Sequence, residues 1–361
     1  MTSEHHMKTP SGKLRARGLG LPLPGTPGPL NAITDVAGVE VGYSTLIKGD
    51  SVRTGVTAIL PRGRHGAEAP CLAGHYSFNG NGEMTGTIWI EEAGELQTPV
   101  TITNTASCGT ARDATLKWLV NNGIGTGQDW GLPVSAETYD GYLNDINGFH
   151  VKDEHVFAAL ATAASGPLEL GSVGGGTGMM TYEFKGGSGT ASRQLKAGGK
   201  GWMLGTFVQS NFGRRPELTV LGLPVGRDLT GGEFLDRGTG SIIAVIATDA
   251  PLLPHQLKRL ARRVPMGLAR TGTYGHHSSG DIFLAFSTAN AKALASAGVR
   301  QLDALADSEL DPLFEAVAET VEEAVLDALI CNGTMSGKDG FTLRALPHHD
   351  LVALLKQAGR L

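Results

Sequence analysis

Ser241 follows the polar stretch Asp236-Arg-Gly-Thr-Gly240 and opens an unbroken apolar run, Ile242 to Ala247. A run of that length and β-branched content predicts a strand buried on both faces, with the serine at its mouth. Such a serine can simply end a loop. It can also be a nucleophile exposed by scission of the Gly240–Ser241 bond. The new α-amino group would then serve as its own general base. A free α-amino group has a reference pKa of about 7.7–8.0, suited to proton transfer near neutrality.

Other polar clusters stand at predicted strand ends. His277-Ser-Ser-Gly-Asp281 precedes one strand and sets the Ser279 hydroxyl two residues from the Asp281 carboxylate. Asn211 closes another strand, and Glu137 and Tyr139 follow a third. Caps and Asx turns account for many such residues, so each carries a structural reading beside a chemical one.

Competing chemistries find no support in the spacing. The glycine runs contain neither a phosphate-binding loop ending in Lys-Ser/Thr nor a strict dinucleotide fingerprint. The pairs His5-His6, His276-His277 and His348-His349 are adjacent in sequence, which does not set two ligands on one helix face, so no metal or cofactor is expected. No Gly-x-Ser-x-Gly elbow occurs.

The elements that must position these groups are predicted as follows. Residues 1–30 read as an irregular arm, with four prolines between Leu21 and Pro29 that exclude helix. Strands are expected around Val36–Val41, Val56–Leu60, Thr87–Ile90, Pro99–Thr103, Pro133–Ala136, Met203–Gln209, Leu218–Val225, Ile242–Ala247 and Ile282–Phe286, with a polar loop from Arg62 to Gly86. Helices are expected over Ala111–Val120, His155–Ala164 and Pro251–Arg270. The last carries an apolar stripe at Leu253, Leu257, Leu260 and Val264, an Asp249 N-cap and a kink at Pro265. A long helix through Leu313–Leu329 should close at Asn332-Gly333. Strands mixed with a few long helices point to α/β or α+β layers in one domain.

Composition bounds the remainder. The chain has 361 residues, 41% hydrophobic and 18% charged, with a net charge of −5, which fits a globular protein and no nucleic-acid surface. Its 52 glycines are about twice the usual share and lack a period, which predicts many tight turns. Three scattered cysteines, Cys71, Cys108 and Cys331, predict free buried thiols and a reducing compartment. Neither a secretory apolar region nor an 18-residue apolar span is visible, so the cytoplasm is the expected address, with no membrane partner.

Taken together, the motifs resemble those of the self-processing serine aminopeptidases, the family of L-aminopeptidase D-Ala-esterase/amidase and the β-peptidyl aminopeptidases. The resemblance spans about Leu19 to Ser287 and beyond. It is carried by Pro29-Leu-Asn-Ala-Ile-Thr-Asp-Val-Ala-Gly-Val-Glu-Val-Gly42, Arg53-Thr-Gly-Val-Thr57, Ala136-Glu-Thr-Tyr-Asp-Gly-Tyr-Leu-Asn-Asp145, Val173-Gly-Gly-Gly-Thr-Gly-Met179, Ser241-Ile-Ile through Leu260, and Ser279-Gly-Asp281 with Phe286-Ser-Thr288.

The resemblance implies an α+β, four-layer αββα sandwich like that of N-terminal nucleophile hydrolases but with different strand connectivity. It implies one domain, cut into 1–240 (α chain) and 241–361 (β chain), and a homotetramer of such heterodimers. Ser241 matches the nucleophile, Ser279 and Asp281 the pair that orients it, Asn211 and Tyr139 the oxyanion donors, and Glu137 the carboxylate for the substrate amine. Substrates would be short peptides, amides or esters. Tyr139 makes the chain look closer to enzymes releasing N-terminal L-residues and cleaving D-alanine amides and esters. β-Peptide-cleaving relatives can carry an aliphatic residue there, and many have glutamate in place of Asp281. A β-peptidyl aminopeptidase and an acyltransferase of related fold stay open as alternatives, as does an uncut scaffold.

Overall fold

The structure, a computed structural model, describes residues 3–64, 69–124, 130–233 and 240–361. The polar stretch before the central strand, residues 236–239 with Gly238 among them, lies outside the described residues.

Two sheets face each other. The smaller has the order β1-β2-β5-β6, from Glu40–Lys48, Val52–Leu60, Val100–Asn104 and Val134–Thr138. The larger has the order β4-β3-β12-β11-β10-β9. Its strands are β3 (Cys71–Gly80), β4 (Glu95–Leu96), β9 (Gly187–Ala197), β10 (Lys200–Asn211), β11 (Ser241–Thr248) and β12 (Gly280–Ser287). Between β6 and β9 the small hairpin β7 (Met180–Thr181) and β8 (Phe184–Lys185) stands apart.

Helices α1 (Glu4–Met7) and α2 (Thr87–Ala93) are short, whereas α3 (Cys108–Asn121) and α4 (Asp153–Ala161) cover the outer face of the smaller sheet. There Val56, Ala58 and Leu60 pack on Ala114, Trp118, Val156 and Leu160. The outer face of the larger sheet is covered by α5 (Pro254–Ala261), α6 (Val264–Arg270) and, beyond the short α7 (Ala291–Leu294), the long α8 (Asp311–Ile330). Leu257, Leu260, Val317, Val321 and Val325 pack there on Ile242, Ala244 and Ile246. Strands β13 (Met335–Ser336) and β14 (Thr342–Leu343) and helix α9 (His348–Gln357) complete the chain.

The inner layer joins Val41, Ile59, Ile102 and Ala136 of one sheet to Phe207, Ile243, Val245 and Leu284 of the other. The result is the expected αββα sandwich. Strand β11 is buried along its whole length because both of its faces are covered. Its alternation sends Ile242 and Ala244 to the helices and Ile243 and Val245 to the other sheet. Ser241 shares the inward parity.

Several elements depart from their sequence-based expectation. The region 62–86, expected as loop, contains β3, whose polar residues pair with the buried β12. Thr87–Ile90, expected as strand, opens helix α2, which ends at Gly94 with φ 69°. Leu218–Val225 is a turn in which Val220 and Leu223 bond each other. The helix expected over 251–270 breaks into α5 and α6, with Pro265 at the start of the second. Asp249 does not cap it: Oδ1 accepts from the Met203 amide at 2.7 Å, and the Gln256 side chain accepts from the Leu253 amide at 3.0 Å. At the end of α8, the Asn332 side chain, rather than a left-handed Gly333, satisfies the Ala328 carbonyl.

Strand β9 was hidden by its glycine-rich start, and packing explains those glycines. A Cβ on Gly189 would lie 1.9 Å from the Ala324 carbonyl oxygen of α8, so the helix sits directly on bare backbone. Beside that contact runs a buried ionic row. Arg193 of β9 donates to Glu319 and Glu323 at 2.9 and 2.7 Å. Arg17 donates to Glu323 and Arg15 to Asp327, at 2.7 and 2.8 Å. The three cysteines are free and buried. Among the described residues no helix is long and apolar enough to cross a membrane.

Candidate active site

The site forms where β6, β10, β11 and β12 end at one rim of the two sheets. Strands β10 and β11 are antiparallel, and their register sets Asn211 directly opposite Ser241. Strands β11 and β12 are parallel, and Ser241 faces Gly280. Three residues widely separated in sequence thereby become neighbours through backbone ladders alone.

Ser241 is buried, with its Oγ donating to the carbonyl oxygen of Gly240 at 2.7 Å. The nucleophile candidate thus lies against the peptide it would cleave. The Gly280 amide reaches both the Ser241 Oγ and the Gly240 oxygen, each at 3.2 Å. This donor escaped the sequence reading, although Gly280 sits inside the Ser279-Gly-Asp281 motif that flagged its neighbours.

Asp281 accepts from the Ser279 Oγ at 2.6 Å and from the Asn79 Nδ2 at 2.8 Å. Burial, outweighing these bonds, raises its pKa from the ordinary aspartate value. Asn79 falls inside the stretch expected as a polar loop, and only the β3–β12 pairing brings it here.

Asn211 is fixed as a donor. Its Oδ1 accepts from the Met180 amide at 2.8 Å, which turns Nδ2 the other way. The Met180 peptide is itself braced. The fully buried Lys185 donates to the carbonyls of Met179 and Gly186 at 2.9 and 2.6 Å, and burial lowers its pKa to about 7.

Glu137 and Tyr139 come from β6 and the turn after it. Together with Glu83, Thr105, Tyr142 and Ser241 they line a cleft of 510 Å³. Glu137 accepts from the Glu83 amide at 2.9 Å and from the Thr105 hydroxyl. Burial, the largest influence, raises its pKa. Two bonds leave lone pairs on the carboxylate for a further donor. Tyr139 is 37% exposed and meets Tyr142 edge-on, with centroids 5.6 Å apart at 88°.

All six site residues expected from the sequence therefore gather at this rim. Ser241, Asn211, Ser279 and Asp281 lie at the ends of adjoining strands, with Glu137 and Tyr139 across the cleft. Among the described residues no three His, Cys, Asp or Glu side chains converge as metal ligands. The arrangement offers a hydroxyl nucleophile, amide donors for an oxyanion and a buried carboxylate facing the same space.

Comparison with known proteins finds relatives over nearly the whole chain. The model of peptidase family S58 covers residues 31–343. β-Peptidyl aminopeptidase BapA of Sphingosinicella microcystinivorans is 50% identical over 371 residues, covering 96% of this chain and 93% of that protein. The BapA of Sphingosinicella xenopeptidilytica is 40% identical over 95% of this chain and 91% of its own. Among solved structures, L-aminopeptidase D-Ala-esterase/amidase from Ochrobactrum anthropi superposes with a TM-score of 0.90 at 48% identity, covering 96% of this chain and 99% of that one. It is described as a prototype for the serine aminopeptidases and a new variant among the Ntn hydrolase fold. A Burkholderia sp. β-aminopeptidase gives 0.88 at 46% identity, over 96% and 99%. With the family model spanning most of the chain and a relative identical at half its positions, this chain belongs to peptidase family S58.

Proposed function

We propose that the chain cuts itself between Gly240 and Ser241 and then acts as an aminopeptidase through the freed Ser241. The single observation that carries this reading is the cleft shared by Ser241 and Glu137. It sets a nucleophile within reach of a site for a cationic N-terminus.

In self-cleavage, the Ser241 Oγ attacks the Gly240 carbonyl carbon, and the Gly280 amide and Asn211 Nδ2 are the donors at hand for the oxyanion. The C–N bond then breaks, the hydroxyl proton ends on the departing amine, and water hydrolyses the ester. In the mature enzyme that amine takes the Oγ proton during attack on a substrate and returns it to the leaving nitrogen. Ser279 and Asp281 hold the strand end, and Glu137 grips the substrate ammonium. Tyr139, in the cleft opposite, is the second side-chain donor for the oxyanion.

Tyr139 supports a preference for N-terminal L-residues and D-alanine amides or esters. The two BapA relatives support β-peptides as the second reading. Paired substrates with α- and β-linked N-terminal residues separate them, and an added amine acceptor shows whether the acyl group also passes to amines. The primary test is intact mass and N-terminal sequencing. The native chain should give two fragments, one beginning Ser-Ile-Ile-Ala, and Ser241→Ala should stay whole near 37.6 kDa and be inactive. A fully active uncut chain would refute the assignment.

A further inference from the structure

A second hollow, of 250 Å³, adjoins the catalytic rim on the opposite face of the larger sheet. Its walls are mainly apolar: Phe78, Phe212, Ile242, Met266, Leu268 and Ala269. Ser279 and Asp281 also line it. Among the described residues, Gly240 alone lines both this hollow and the Glu137 cleft. The sheet's alternation explains the division. Ser241 follows the inward parity of Ile243, whereas Ile242 and its register partner Asp281 point toward the helices.

We propose that this hollow is the subsite for the leaving portion of the substrate and takes an apolar side chain, leucyl or phenylalanyl in size. The inference rests on the aminopeptidase reading above. Glu137 fixes the substrate's amine on one side of Ser241, so the acyl residue fills the Glu137 cleft. The leaving nitrogen must face the freed Ser241 amine, from which it takes its proton as the acyl C–N bond breaks. That amine stands where Gly240 is attached in the continuous chain. Scission after Gly240 therefore frees the base at a residue that lines both clefts. What extends beyond the leaving nitrogen then passes over the strand end into the apolar hollow. An apolar side chain is favoured there because the lining offers hydrocarbon surface to bury.

The test uses two amides with the same N-terminal residue, alanyl-phenylalaninamide and alanyl-glycinamide. Burying the larger side chain should favour the first in kcat/KM by about 10- to 100-fold. Ala269→Phe and Met266→Trp, both on the exposed side of α6, fill the hollow without disturbing the core. Each should collapse the ratio toward unity. Phenylalaninamide should also inhibit the native enzyme competitively at concentrations where glycinamide does not, a measurement that requires no variant. A native ratio within about twofold, equal inhibition by the two amides, or a ratio unmoved in both variants overturns the inference. Those results in a cut, active protein spare the aminopeptidase reading, whereas retained activity in Ser241→Ala removes both.

Discussion

Asn211 and Ser241 are cross-strand partners at the last rung of the β10–β11 ladder. The proposed oxyanion donor and the proposed nucleophile therefore share one rigid element, and their separation is set by strand pairing rather than by loops. Asn211→Ala keeps the rung and removes the donor. Loss of one preorganised donor costs about 10²- to 10³-fold in kcat, with KM little changed. Self-cleavage should slow as well, because the same amide is the proposed donor for the oxyanion formed at Gly240. Time-resolved mass spectrometry and steady-state kinetics check both. Normal kcat in Asn211→Ala would remove this residue from the mechanism.

Gly240 should be intolerant of any side chain before cleavage. A Cβ there would lie 2.8 Å from the Phe212 Cα and 2.9 Å from the Asn211 carbonyl oxygen. The scissile carbonyl would have to move away from the Ser241 Oγ. Near-attack geometry decides rates steeply, so Gly240→Ala should accumulate as the uncut chain and mature at least about tenfold more slowly. Denaturing electrophoresis of freshly purified protein reads this directly. Prompt, complete cleavage would show that the rim can yield.

Glu137→Gln keeps the shape of the proposed amine-binding group and removes its charge. A hydrogen bond to a charged group is worth roughly 1.5–3 kcal/mol, so kcat/KM for free-amine peptides should fall about 10- to 150-fold. N-acetylated peptides should be poor substrates for both proteins. Self-cleavage should persist, since Gly240–Ser241 is an internal amide. If Glu137 merely braces Glu83 and Thr105, the variant would lose thermal stability and keep its preference for a free amine.

Much of this site was legible because strand ends concentrate polar residues. An apolar run beginning after Ser241, or after Asp281, marks the sheet rim without any knowledge of topology. The partners of those residues were not legible. Asn79, the Gly280 amide and Lys185 act through register and burial, which a one-dimensional pattern does not carry. Strand β9 and the expected strand at Thr87 failed for opposite reasons. Packing against α8 imposes glycine where propensity disfavours a strand, and flanking glycines cap a helix of β-branched residues.

Asp140 offers a test by pH. Burial raises its pKa to about 7. Its Oδ1 accepts from the Asn144 Nδ2 at 3.0 Å, and its Oδ2 has no partner among the described residues. An unfolded aspartate titrates near about 3.9. Between the two values the folded chain holds a proton that the unfolded chain has lost. The contribution to stability is therefore present below about pH 4 and disappears as pH rises through about 7. Asp140→Asn lacks this loss. Its melting temperature relative to native protein should rise from pH 4 to pH 7, and a constant difference would show that Asp140 ionises normally.

The ionic row under α8 should hold the two fragments together once the chain is cut. Arg15, Arg17 and Arg193 belong to residues 1–240, and Glu319, Glu323 and Asp327 to residues 241–361. The three acids recur every fourth residue, so they share one helix face. Burial alone would raise Glu323, but Arg193, Arg17 and Arg15 outweigh it and hold the carboxyl at about 2. This pairing stabilises the fold above the ordinary glutamate pKa of about 4.3 and is lost as pH falls toward about 2. Arg193→Met keeps the apolar length and leaves Glu319 and Glu323 short of a cation. Removing one partner of a buried pair costs roughly 3–5 kcal/mol. Urea denaturation of the processed protein should show that loss, and size-exclusion chromatography in mild urea should show the fragments parting first in the variant. Because the row is buried, 0.5 M salt should leave the difference between variant and native protein nearly unchanged, whereas an exposed pair would be screened. A cost below about 1 kcal/mol, typical of surface pairs, would mean that apolar packing of α8 on β9 and β10 holds the fragments without the row.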